Sequence, residues 1–147
     1  MYYLAYGSNM NREWMAQLCP TAQIIGKGNL PNYRLAFRGQ DNGVYATIEK
    51  YAGEYVPFIL WQINKVDEIA LDAYEDYPKL YKKGHLTVSV DNQLYDAMVY
   101  MMNERPFGVP NDVYYNMIQT AYRMYDLDTL LLEKALHHSS QHIEKGE

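Results

Sequence analysis

The stretch Tyr2-Tyr3-Leu4-Ala5-Tyr6-Gly7-Ser8-Asn9-Met10 lies at the start of a chain of 147 residues, and its reading sets the plan of the molecule. Tyr2 to Tyr6 is short, apolar and aromatic, the pattern of a buried strand, and it stops at Gly7. Ser8 and Asn9 are good N-cap types, so a helix from Asn11 to Leu18 is expected just beyond them. A strand that turns through Gly-Ser-Asn into a helix brings several unpaired backbone N–H groups to one point. Gly7 lets the backbone turn and lets a ligand approach it closely. The helix start would add a partial positive charge, which suits a carboxylate or a developing oxyanion. The same residues would equally serve an ordinary capped strand-to-helix turn.

Outward from that turn, more strands are predicted. Gln23 to Lys27, Tyr33 to Arg38, Val44 to Lys50 and Phe58 to Ile63 are β-branched or aromatic runs separated by Gly, Pro or Asn. Leu86 to Val90 and Leu94 to Met102 flank Asp91-Asn92-Gln93, a plausible hairpin. Asn64 can cap a helix from Lys65 to about Tyr74, with Val66, Ile69, Ala70 and Ala73 as its inward face. Pro110 opens a helix to about Met124, and Asp128 to His138 forms another. The polar end from Ser139 to Glu147 is expected to fray. Strands interrupted irregularly by helices predict one α+β domain over residues 1–147, built on a mostly antiparallel sheet or barrel.

A second stretch could carry chemistry: Leu71-Asp72-Ala73-Tyr74-Glu75-Asp76-Tyr77-Pro78-Lys79-Leu80-Tyr81. Pro78 blocks helix continuation, which places Glu75 at a helix end. A carboxylate among Tyr74, Tyr77 and Tyr81, with Asp72 three residues back, would have a raised pKa, as a catalytic acid/base requires. A solvated acidic helix end would show the same residues. His137, His138 and His142 lack a carboxylate or Cys to complete a metal set. Cys19, at a helix end before Pro20, reads as a packed thiol.

Composition narrows the function classes. An apolar fraction of 48% and a charged fraction of 21% belong to a globular protein. A net charge of -5 with one basic pair, Lys82-Lys83, argues against nucleic acid or an anionic membrane as partner, leaving a small molecule. No window reaches the roughly 20 apolar residues that span a bilayer. A single cysteine and no leader-like start are what a cytoplasmic protein would show.

Taken together, the two stretches resemble the γ-glutamylcyclotransferase family. Tyr6-Gly7-Ser8-Asn9-Met10 is similar to the family's opening turn, and Leu71-Asp72-Ala73-Tyr74-Glu75, with Tyr81 beyond it, to its helix-end glutamate. Between them, Gly43-Val44-Tyr45-Ala46-Thr47-Ile48 resembles its Gly-x-Ala-Thr strand. Leu60-Trp61-Gln62-Ile63-Asn64-Lys65 resembles its approach to the glutamate helix, and Pro110, Tyr114 and Ile118 keep the spacing of a later helix. The resemblance implies a small mixed β-barrel with flanking helices, and no cofactor or metal. It implies that the α-amine of a γ-glutamyl compound attacks its own γ-carbonyl to release 5-oxoproline and an amine or amino acid. Glu75 would be the acid/base. Tyr6, Gly7, Ser8, Asn9 and Tyr81 would bind the substrate.

Two alternatives stay open: a relative acting on a specialised γ-glutamyl metabolite, and a binding module without turnover. The chain departs from the family at Asp76, where a Gly is usual, and at Ala121-Tyr122, where a Gly-Ala pair is usual. If the later helix borders the pocket, Tyr122 would restrict the leaving group to an amine that is small, or extended along the tyrosine, rather than bulky.

Overall fold

The computed structural model describes residues 1–40 and 43–143. Five strands, β1 (Tyr2–Ala5), β2 (Gln23–Gln40), β3 (Gly43–Gln62), β4 (Tyr81–Val90) and β5 (Gln93–Met102), form one mixed sheet in the order β2-β3-β1-β5-β4. The short β1 lies in its centre, antiparallel to β3 and parallel to β5. Covered on both faces, β1 buries Tyr3, Leu4 and Ala5 in succession, which explains a run without polar alternation.

The four strands expected between residues 23 and 63 are two long ones. Pro31 interrupts neither, because it lies on the edge strand β2 at a register shift against β3. There Asn32, in the left-handed region, accepts through Oδ1 from Gly53 N at 3.1 Å. The hairpin bends at that point rather than ending. The sheet curls until a Cβ on Gly28 would stand 2.8 Å from the Ser89 carbonyl oxygen of β4. No ladder joins β2 to β4, so the expected α+β fold is present with its barrel left open among the described residues.

Helices α1 (Arg12–Leu18), α2 (Lys65–Tyr74), α3 (Asp112–Met124) and α4 (Thr129–Gln141) follow the expected segments. In α2 the inward face differs from the expected one. Val66 and Ile69 are 74% and 62% exposed, whereas Asp67 and Leu71 are buried. Asp67 closes a capping box with Asn64, which satisfies its carboxylate locally and makes its burial tolerable. Residues 67, 71 and 75 are spaced by four, so this face carries Glu75 inward. At the other end, α4 continues past His138. Ser139 is buried and its Oγ accepts from Phe37 N at 2.9 Å, so the expected fraying does not begin there. Residues 144–147 of that expected tail lie outside the described residues.

Candidate active site

The turn after β1 is tighter than its sequence suggests. Ser8–Met10 form a single 3-10 turn, closed by Met10 N to Gly7 O and Asn11 N to Ser8 O, both at 3.0 Å. Helix α1 starts only at Arg12, capped by the Asn11 side chain, so the expected helix-dipole contribution at Gly7–Asn9 falls away. The unpaired N–H groups at the start of the turn remain, since the first donors of any helical turn have no partner within it.

Glu75, at the C-cap of α2, stands against this turn across 66 residues of sequence. Its Oε1 accepts from Asn9 Nδ2 at 3.2 Å. Part of the residue's surface is open, but the carboxyl end faces a narrow chamber lined by Tyr3, Tyr6, Gly7, Ser8, Asn9, Ala46, Glu75, Tyr81, Tyr100 and Tyr114. Burial pushes the Glu75 carboxyl up to about 8, opposed by the hydrogen bond from Asn9. Asp72, expected to help through like charge, has no part in this. Its carboxylate pairs with Lys83 Nζ at 2.8 Å and accepts from Tyr100 Oη at 2.5 Å.

The chamber is tight, with about 20 Å³ free, and shares Ser8, Glu75, Tyr81 and Tyr114 with an outer cavity of about 220 Å³. Tyr45, Tyr74, Asp76 and Leu80 complete the outer wall. Ser8 Oγ meets Tyr74 Oη at 2.9 Å, so one wall of the outer cavity is tied to the turn. Asp76 sits in the left-handed region at φ 52°, which accounts for the glycine usual there, and Asp is among the few other residues that tolerate it.

The tyrosine hydroxyls divide into two groups. Tyr6 donates to Tyr100 O at 2.5 Å and Tyr81 to Ala46 O at 2.6 Å, so both contribute rings to the chamber while their protons are committed. Tyr3 accepts from Asn9 Nδ2 and Tyr114 accepts from Ala46 N, each at 2.9 Å. Burial raises Tyr3, Tyr6, Tyr81 and Tyr114 above their ordinary range, so they stay neutral.

The structure thus gathers Tyr6, Gly7, Ser8, Asn9, Glu75 and Tyr81 around one chamber. It adds Tyr3, Tyr100 and Tyr114, which sequence reasoning left out of the site. Their strand and helix positions look like ordinary core in the sequence, and only the spacing at Tyr114 offered a signal. Tyr77 is not part of the chamber; its ring lies against Tyr100 and under the Lys83 ammonium.

Tyr122 does not border this site. It is fully buried and lines a separate cleft of about 320 Å³ with Arg34, Tyr51 and His138, where the carboxylate of Glu54 is paired with Lys134. The expected restriction of the leaving group by Tyr122 is therefore wrong. Cys19 is packed as expected, its thiol pushed up to about 11 by burial and then by Asp67. No described helix is long and apolar enough to cross a membrane.

Comparison with known proteins places the fold. A solved structure described as a gamma-glutamyl cyclotransferase superposes with a TM-score of 0.82 over 100% of this chain and 89% of its own, at 22% identity. An uncharacterized protein from Homo sapiens gives 0.81 over 99% and 89%, at 23% identity. YkqA from Bacillus subtilis gives 0.80 over 99% of this chain and 56% of its own, at 21% identity. At these identities the likeness is one of fold. No curated protein matches the chain in sequence. The profile of the family described as gamma-glutamyl cyclotransferase, AIG2-like, matches residues 3–129, and the chain belongs to that family.

Proposed function

We propose that the protein converts a γ-glutamyl compound to 5-oxoproline and a free amine, with Glu75 as the single acid/base. The observation that carries this reading is a carboxyl held near pKa 8 at the border of two cavities, beside the backbone turn at Gly7–Asn9. A chain α-amino group titrates at about 7.7–8.0, and an α-ammonium beside its own carboxylate titrates above that, so a carboxyl raised to about 8 is a far better base for it than an ordinary one.

The chamber's free volume of about 20 Å³ admits little more than one water, so the glutamyl portion lies in the outer cavity with its γ-carbonyl at that border and the leaving group pointing outward. Glu75 removes a proton from the α-ammonium, and the amine nitrogen attacks the γ-carbonyl carbon. The oxyanion that forms faces the amides of the turn and the hydroxyls of Tyr3 and Tyr114, which still have protons to donate. As the C–N bond to the leaving group breaks, Glu75 gives its proton to the departing nitrogen and takes the second proton from the ring nitrogen; that proton then passes to the freed amine, which leaves as an ammonium, and Glu75 is ionised again. Ring closure is intramolecular, so holding the chain folded supplies much of the acceleration; effective molarities of roughly 10⁵ to 10⁸ M are usual for such reactions.

The outer wall is made of tyrosines, Leu80, Ser8, Glu75 and Asp76, with no Lys, Arg or His. That supports a leaving amine without a carboxylate beside its nitrogen, in place of the size rule expected from Tyr122. Incubation with a panel of γ-glutamyl amines and γ-glutamyl dipeptides, with products identified by mass spectrometry, tests the reading. Release of 5-oxoproline together with the free amine supports it. Release of glutamate instead, or tight binding without turnover, refutes it.

A further inference from the structure

Asn9 is held by several donors and acceptors at once, and together they dictate which way its amide points. Its Oδ1 accepts from Trp14 Nε1 at 3.0 Å, while its Nδ2 donates to Tyr3 Oη at 2.9 Å and to Glu75 Oε1 at 3.2 Å. Its backbone carbonyl accepts from Trp61 Nε1 at 3.1 Å. The chain has two tryptophans, and both indoles donate to this one residue.

The two ends of an asparagine amide have nearly the same shape and opposite hydrogen-bonding character. Turned over, the amide would set its oxygen against the Glu75 carboxylate, and the ionised form would lose its donor. An indole N–H can only donate, so Trp14 rejects the arrangement that would point the NH2 at it. Trp14 lines neither cavity. It is fixed from α1, where Asn11 Oδ1 accepts from Trp14 N at 3.1 Å, and its ring packs on Tyr74, the residue before Glu75, at 5.3 Å.

We propose that Trp14 is a positioning residue: its indole N–H fixes the Asn9 amide with the nitrogen toward Glu75 and so keeps a hydrogen-bond donor on that carboxylate. The consequence for turnover rests on Glu75 being the acid/base proposed above; the coupling itself does not.

The other titratable groups facing Glu75 are tyrosines: Tyr3 and Tyr6 from β1 and the residue after it, Tyr74 from α2, Tyr81 from β4, Tyr100 from β5 and Tyr114 from α3. All are raised, chiefly by burial, and stay neutral below pH 10. Tyr45 of β3 and Asp76 border the outer side. Asp72 is held by Lys83 and Tyr100. Against burial, Asn9 is therefore the group that favours the ionised form of Glu75.

A hydrogen bond to the charged form lowers a carboxyl's pKa, so loss of the lock must move Glu75 upward. The test is an NMR titration of the full chain without substrate, following the Glu75 carboxyl carbon, the Asn9 side-chain NH2 and the Trp14 indole N–H. In the unsubstituted protein the three signals should share one midpoint. Trp14→Phe keeps a ring but removes the N–H, and should raise the Glu75 midpoint by roughly 0.5 pH unit or more. Trp14→Leu should give the same shift, and the acid limb of kcat/KM should move with it.

A folded Trp14→Phe protein with an unchanged midpoint would overturn the proposal. A shift in Trp14→Leu alone would assign the effect to ring packing and overturn it too. If the variants fail to fold, an indole signal in the unsubstituted protein that ignores the ionisation of Glu75 does the same. Because the midpoints are read without turnover, failure of the cyclotransferase reading leaves this result standing, and the converse holds as well.

Discussion

Replacing Glu75 by Gln should stabilise the protein in alkaline solution. The folded carboxyl titrates at about 8 against an ordinary value of 4.5. Its neutral form is the one that the fold favours, so the folded state holds a proton that the unfolded state has already lost between those two values. Stability therefore falls as pH rises from 4.5 to about 8, and is constant outside that window so far as this group is concerned. The interval of roughly 3.5 pH units, at about 1.36 kcal/mol each, sets an upper limit near 5 kcal/mol. Part of the residue's surface is open and water screens it, which reduces the expected penalty to roughly 1–3 kcal/mol. Glutamine carries no charge and its Oε1 still accepts from Asn9. Urea unfolding at pH 4, 7 and 9 measures the effect. Glu75→Gln should match the parent within about 0.5 kcal/mol at pH 4 and exceed it by about 1–3 kcal/mol at pH 9. A difference that does not change with pH, or a less stable variant at pH 9, would refute the claim that burial sets this group's proton affinity.

Other outcomes follow from the same geometry. If ionised Glu75 is the base and the α-ammonium its proton source, kcat/KM for a γ-glutamyl amine should rise about fivefold between pH 7 and pH 8, as the ionised fraction of Glu75 goes from roughly one tenth to one half, and fall again where the substrate loses its proton; no rise between pH 7 and pH 8 contradicts this. Gly7→Ala should fold, since its Cβ would meet Ala46 Cβ at 3.4 Å and Tyr114 Oη at 3.5 Å, which is ordinary contact. The methyl stands at the chamber wall, however, so calorimetric affinity for 5-oxoproline should fall about tenfold or more; equal affinity would make the turn merely structural. Tyr122→Phe removes a buried hydroxyl that has no partner, and should raise stability by about 1 kcal/mol without altering leaving-group preference. A changed preference would put Tyr122 back at the site.

Much of the site was legible because two local signals survive folding intact. Gly7-Ser8-Asn9 marks a turn whatever surrounds it, and Pro78 fixes where the helix bearing Glu75 must stop. What brings them together is the central place of β1, next to the strand that leads into α2, and no local pattern encodes that. The raised pKa of Glu75 was foreseen, but half of the reasoning was wrong, since Asp72 turns to Lys83 and Tyr100 and burial does the work. The face of α2 was misread because periodicity counts apolar residues. Asp67 satisfies its own carboxylate in the capping box and can go inside, leaving Val66 and Ile69 in solvent. Strand ends were misplaced for a related reason. Pro31 reads as punctuation, but an edge strand has no bond for it to break. Tyr3, Tyr100 and Tyr114 were hidden in a chain with 16 tyrosines, where a hydroxyl facing a chamber cannot be told from one facing the core.

The central claim is that Glu75 moves the protons in a cyclisation that releases 5-oxoproline. The most direct measurement is 5-oxoproline release from a γ-glutamyl amine by the parent protein and by Glu75→Gln at pH 8, with folding of both verified by circular dichroism and urea unfolding. The account predicts release by the parent and a loss of roughly 10² to 10⁴ in turnover for the variant, with binding of 5-oxoproline retained. Near-parental 5-oxoproline release from a folded Glu75→Gln protein would contradict it.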